Sequence, residues 1–126
     1  MPPEHVAIIG ASGDRSKYGN KAVRAFTERG DVVYPVHPSE SEIEDLQAFK
    51  SVLDIPHDLD RVSLYVPPHI GLKVIEEIAQ KGAKQVYLNP GAESMELLEK
   101  AQELQVPVIV ACSIMDIGMR PGQFGA

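Results

Sequence analysis

A chain of 126 residues, 44% of them hydrophobic and 24% charged, has the size of one domain and is long enough to bury roughly two-thirds of the surface that its unfolded form exposes. Its formal net charge of -6 disfavours broad attraction to nucleic acid or to an anionic membrane, and no apolar run approaches the roughly 20 residues of a membrane span. Cys112 is the only cysteine, which excludes an internal disulfide; with no signal-peptide pattern at the start, a single cytoplasmic domain over residues 1–126 is expected.

The first strand is predicted over Val6 to Ile9. A helix follows Gly19, turns Ala22, Val23 and Phe26 toward the sheet and closes at Gly30. Val32 to Val36 predicts the second strand. Residues 39–60 predict a short helix around Ile43 to Phe49, with any longer one interrupted at Ile55-Pro56. The third strand is Val62 to Val66, followed by a helix over Ile70 to Lys81 whose stripe is Ile70, Val74, Ile75, Ile78 and Ala79. Gln85 to Leu88 predicts the fourth strand. A helix through Leu97, Leu98, Ala101 and Leu104 is opened by Ser94 or Glu93, and Val106 to Val110 predicts the fifth strand. Residues 119–126 read as a surface tail. This alternation defines an α/β, Rossmann-type three-layer domain with a five-stranded parallel sheet, expected in the order 3-2-1-4-5.

In such a sheet, ligands bind outside the carboxyl ends of the strands, where the strand order reverses. The first loop there reads Gly10-Ala11-Ser12-Gly13-Asp14-Arg15-Ser16-Lys17-Tyr18-Gly19, with small residues that let a backbone approach a pyrophosphate and a hydroxyl at Ser12. Arg15, Lys17, Lys21 and Arg24 place four cations in ten residues without an acid, which fits a polyanionic nucleotide ligand. The second loop, His37-Pro38-Ser39, lacks the strand-tip acid that holds ribose hydroxyls in dinucleotide dehydrogenases; Glu40 and Glu42 come later. The third loop, Tyr65-Val66-Pro67-Pro68-His69, makes a rigid apolar wall. Pro67 stands where a phosphorelay receiver needs its aspartate. Asn89-Pro90-Gly91-Ala92 leaves room for a narrow ligand arm. His5 and His57 read as surface residues and Cys112 as a small buried hydrophobe; the four histidines form no metal-ligand spacing and no catalytic constellation is visible.

Gly10-Ala11-Ser12, His37-Pro38, the stretch 51–56 (Ser-Val-Leu-Asp-Ile-Pro) and Tyr65-Val66-Pro67, in this order, resemble the stand-alone CoA-binding domain proteins, which are similar to the CoA-binding half of the succinyl-CoA synthetase α subunit. The resemblance implies that Gly10, Ala11, Ser12 and Gly13, with Arg15, Lys17 or Tyr18, hold the phosphates of CoA or acyl-CoA. It places His37 and Pro38 beside the adenosine, and Tyr65, Val66, Pro67, Pro68, Asn89, Pro90 and Gly91 along the adenine or the pantetheine arm. Asn-Pro followed by a basic residue is common after the second strand of that family, where this chain has His37-Pro38-Ser39. The expected function is a noncatalytic CoA or acyl-CoA binding protein with a possible protein partner. An NAD(P)-binding oxidoreductase or redox-sensing domain is the alternative, and an interaction subunit that has lost its ligand a third reading.

Overall fold

Residues 2–125 are described by a computed structural model. In chain order the elements are β1 (His5–Ile9), α1 (Tyr18–Arg29), β2 (Val32–Val36), β3 (Glu42–Ile43), β4 (Leu46–Gln47), β5 (Leu59–Leu64), α2 (Pro68–Lys81), β6 (Ala83–Leu88), α3 (Met95–Glu103), β7 (Val108–Val110) and α4 (Ser113–Asp116), with short 3-10 turns at Val52–Asp54 and Pro121–Phe124. Successive side chains of a strand leave opposite faces of the sheet, and both faces here are apolar. Ala7, Ile9, Val62, Leu64, Val86 and Leu88 meet Ile75, Ile78 and Leu97 of α2 and α3. On the other face Val6, Ile8 and Val33 meet Ala22, Val23 and Phe26 of α1 and Ile114 of α4. The result is the expected three-layer α/β arrangement around a five-stranded parallel sheet.

The position of the third parallel strand departs from expectation. The order is β2-β1-β5-β6-β7, so β5 lies beside β1 instead of outside β2. Counted along the chain, the five parallel strands run 2-1-3-4-5. Pro35 supplies the reason. Its carbonyl faces the outer edge of β2, where it accepts the Phe49 amide at 2.9 Å, and a proline offers no N–H on that side for a further full strand. A single parallel bridge between Val36 and Phe49 closes the edge instead. The chain must then cross β1 to reach β5, which puts the switch point between β1 and β5 and brings the Gly10 and Tyr65 loops together.

Other expectations are corrected locally. The predicted helix around 43–49 is a two-stranded hairpin, β3 with β4, turned at Glu44 and Asp45 with φ of 50° and 64°. Two consecutive positive φ values match the twist of a tight hairpin, and they are incompatible with helix. The fifth strand starts at Val108, since the Val106 amide is used by the Ala101 carbonyl at the end of α3. The expected tail is packed: Met119 and Phe124 lie against the α1 face, after the unpredicted α4. His5 and His57 stack at 3.6 Å between ring centroids, and His5 Nδ1 lies 2.8 Å from the Tyr34 hydroxyl, so His5 is half-buried.

A cleft at the switch point of the sheet

At the carboxyl ends of β1, β5 and β6 lies a cleft of about 800 Å³, bounded by residues 16–19, 64–67 and 89–92 together with Gly10, Cys112, Met115 and Pro121. Its size falls within the roughly 300–1,000 Å³ usual for small-molecule sites. Gly10 forms the floor with φ of +90°, and a β-carbon there would stand 2.6 Å from the Tyr65 carbonyl oxygen. Gly19, in the first turn of α1, passes so close to Gly10 that a β-carbon would overlap the Gly10 carbonyl. These two contacts draw the start of α1 onto the end of β1.

That helix start is electrically open. Lys17 caps it without a side-chain hydrogen bond, and its first turn holds no acid. Among the described residues, the amides of Tyr18, Gly19 and Asn20 find no acceptor. Unsatisfied amides and the positive end of the helix dipole favour an anion, and Lys17 adds a full charge beside the cleft.

The remaining loop residues are spent on the protein itself. Ala11 is buried. The Ser12 hydroxyl accepts the Asp14 amide at 3.0 Å, and Asp14 accepts both the Ser16 amide and the Ser16 hydroxyl, which holds its carboxyl below the usual range. The Gly13 amide donates to Glu40 Oε2 at 3.1 Å. Arg15 faces Glu44 at 3.4 Å, and Arg24 donates to Asn20 Oδ1 and to the Arg15 carbonyl. His37 Nδ1 accepts the amides of Ser39 and Glu40, so its proton sits on Nε2. Thus the structure brings Gly10, Lys17, Tyr18, Tyr65, Val66, Pro67, Asn89, Pro90 and Gly91 to the cleft wall; Ala11, Ser12, Gly13, Arg15, His37, Pro38 and Pro68 stand outside it.

Asn89 is a fastener for three loops. Its Nδ2 donates to Ser63 Oγ at 2.7 Å and to the Leu64 carbonyl at 2.8 Å, and its Oδ1 accepts the Ser113 amide at 2.8 Å. Only the backbone around it is left to face a ligand. Tyr65 is mostly buried, and desolvation pushes its phenol well above the usual tyrosine range; Oη has no hydrogen-bond partner among the described residues. Cys112 is half-buried on the cleft wall and is not the fully buried hydrophobe expected. Ser16, Gly19 and Ala92 lie in loops expected at the ligand end but were given no contact of their own, and Leu64, Met115 and Pro121 were not expected there. Gly19 was detectable as a glycine opening a helix after a glycine turn, whereas Met115 and Pro121 reach the cleft only because α4 turns the chain back.

A second depression of about 490 Å³, lined by Arg15, Arg24, Thr27, Glu28, Glu44, Gln123 and Phe124, runs along the outer side of α1. Its cations are already engaged with Glu44 and Asn20, and no end of a parallel strand opens into it.

Residues 4–117 match the CoA binding domain family, and the chain belongs to it. Among solved structures, a conserved hypothetical protein from Pyrococcus furiosus superposes with a TM-score of 0.84 at 34% identity, covering 90% of this chain and 98% of that one. A dinucleotide-forming acetyl-coenzyme A synthetase 1 of Ca. Korarchaeum cryptofilum, in complex with phosphate and ADP, gives 0.76 at 28% identity, over 86% of this chain and 26% of that one. In sequence, the ADP-forming acetate–CoA ligase of Methanocaldococcus jannaschii is 38% identical over 82 residues, 65% of this chain and 12% of the ligase. The α subunit of the Pyrococcus furiosus ADP-forming acetate–CoA ligase II is 36% identical over 87 residues, 68% of this chain and 19% of the subunit. The chain therefore spans less than a fifth of these ligases and is related to their CoA-binding part.

Proposed function

We propose that this chain is a noncatalytic, cytoplasmic, single-domain module that binds CoA or acyl-CoA. The carrying observation is the cleft at the switch point, which joins the open start of α1 and Lys17 to a mainly apolar lining. Phosphates meet the amides of Tyr18 to Asn20 and Lys17 near Gly10. The adenosine lies toward His37 and Pro38, and the pantetheine arm runs between Tyr65–Pro67 and Asn89–Gly91. The thiol end reaches toward Cys112 and Met115, where a protein partner would meet it.

Titration calorimetry of the full chain tests this: CoA binds with one site per chain and raises the melting temperature. An unchanged melt across millimolar CoA overturns the reading.

One observation favours a second ligand class. Glu40 folds back onto the Gly13 amide, putting an acid where dinucleotide-binding sites hold a ribose. NADH titration followed by cofactor fluorescence separates this NAD(P) reading from the first.

A further inference from the structure

We infer that Arg61 and Asp116 are positioning residues for ligand binding: their ion pair aims α4, and with it Met115, at the molecule in the cleft. The inference rests on the CoA reading of the cleft and adds how the wall at the thiol end is held. Arg61 stands beside Val6 in the register of β1 with β5, on the sheet face that carries the apolar core under α1. Its side chain is only 6% exposed. The guanidinium lies against two rings, with Cζ 5.4 Å from the centroid of Phe26 and 4.6 Å from that of Tyr87. Nη1 donates to Asp116 Oδ2 at 3.1 Å, and the Tyr87 hydroxyl donates to the same oxygen at 3.0 Å. Nε makes no hydrogen bond among the described residues; Glu4 Oε1 is 3.4 Å away and already accepts Arg29 Nη2 at 2.6 Å. Asp116 is thus the one directional partner of the Arg61 side chain among the described residues.

Burying a charge at this depth is costly, and apolar side chains of similar volume commonly serve stability as well or better. What the ion pair supplies here is direction. α4 is a single turn, Ser113–Asp116, too short to hold its own shape. Three of its four residues are tied to the body of the domain. Ser113 is held by Ser63 Oγ at 2.7 Å and by Asn89 Oδ1 at 2.8 Å, Ile114 is fully buried, and Asp116 takes Arg61 and Tyr87. A turn fixed on three side chains has its fourth direction set as well. That fourth residue is Met115, which is 63% exposed and stands on the cleft wall with Cys112. Asp116 is the polar tie at the far end of the turn, just before the chain reverses at Gly118 with φ of +81°.

The test exchanges the ion pair for apolar side chains, Arg61→Met together with Asp116→Leu, in the full chain. CoA affinity is measured by calorimetry well below the melting transition, and solvent exchange of the Ile117, Gly118 and Met119 amides is followed in the ligand-free protein. The expected result is a melting temperature no lower than that of the unaltered chain, CoA binding about tenfold weaker, and faster exchange of those three amides. A pair that serves stability alone leaves the affinity of the folded protein unmoved. Asp116→Asn, which keeps an oxygen for the Tyr87 hydroxyl and removes the charge, is read in the same way should the double variant not fold. Unchanged CoA affinity in the folded variant, or unchanged exchange of the three amides, overturns the inference. If the unaltered chain binds no CoA, the CoA reading itself falls, while the exchange rates, taken without ligand, still support or overturn the hold of the pair on α4.

Discussion

Gly10 and Tyr65 meet backbone to backbone: a β-carbon at position 10 would stand 2.6 Å from the Tyr65 carbonyl oxygen, at a φ of +90° that L side chains rarely adopt. Neither atom belongs to a flexible side chain, so the clash cannot be relieved by a rotamer change. Gly10→Ala is expected to destabilise the fold by about 2–4 kcal/mol, combining strain with displacement of β5 from the floor of the cleft. Urea unfolding of the variant checks this, and a loss below about 0.5 kcal/mol would mean that the two strand ends are not held at this spacing.

Lys17 is exposed and forms no ion pair among the described residues, so its truncation leaves the fold alone. Lys17→Ala is expected to leave the melting temperature unchanged while weakening CoA binding about tenfold at low salt, with a smaller difference at high salt. Equal affinity for both proteins at low salt would remove Lys17 from the phosphate site.

Asn89 has both hydrogens of its carboxamide and one lone pair of Oδ1 engaged inside the protein. Replacing it with Ala strands the Ser113 amide in a buried place and takes one donor each from Ser63 Oγ and the Leu64 carbonyl, which keep the Ser113 hydroxyl and the backbone amide of residue 89. A cost of about 3 kcal/mol follows, read in chemical denaturation. Affinity measured well below the transition should change less than stability does.

Tyr65 sets a pH dependence. Burial keeps its phenol protonated above the usual range, so the folded state holds a proton that the unfolded chain releases from about pH 10. The stability from this proton is present below that pH and is lost as pH rises. Tyr65→Phe is expected to be neutral or stabilising at pH 7, since Oη is unpartnered, and to flatten the fall in stability above pH 10. Tyr34 and Tyr87, also raised by burial, sustain the remaining slope. Identical alkaline profiles for the two proteins would contradict this.

Local patterns carried most of the fold. Buried runs such as Val32–Val36 and the stripe through Ile75 and Ile78 read correctly because burial on a parallel sheet demands them. The strand order turned on Pro35, which the sequence displays plainly. Its missing donor confines β2 to the edge, and that signal was outweighed by the general preference for neighbouring crossovers. The Glu44-Asp45 turn was harder, because no glycine or asparagine marks it, Glu rarely takes a positive φ, and the φ values follow from pairing β3 with β4. In the site, glycines and prolines announced the cleft. What the sequence could not convey was which polar groups remain free. Ser12, Arg15 and His37 look available in one dimension, but partners 2, 29 and 3 residues away claim them. Glu40 was noted only as an acid arriving late after β2, and its reach across 27 residues to Gly13 exists only in three dimensions.

The wall that Cys112, Met115 and Pro121 give the cleft comes from the stretch that folds Met119 and Phe124 onto α1. A molecule that needs this wall would bind only while the stretch is folded, so filling the cleft would suppress local unfolding of residues 113–124. The amides of Ile117, Gly118 and Met119, bonded to Ser113, Met115 and Ile114, lie outside the cleft, yet their rates of exchange with solvent would register whether it is filled. The end of the chain would act as a built-in gauge of what the middle holds.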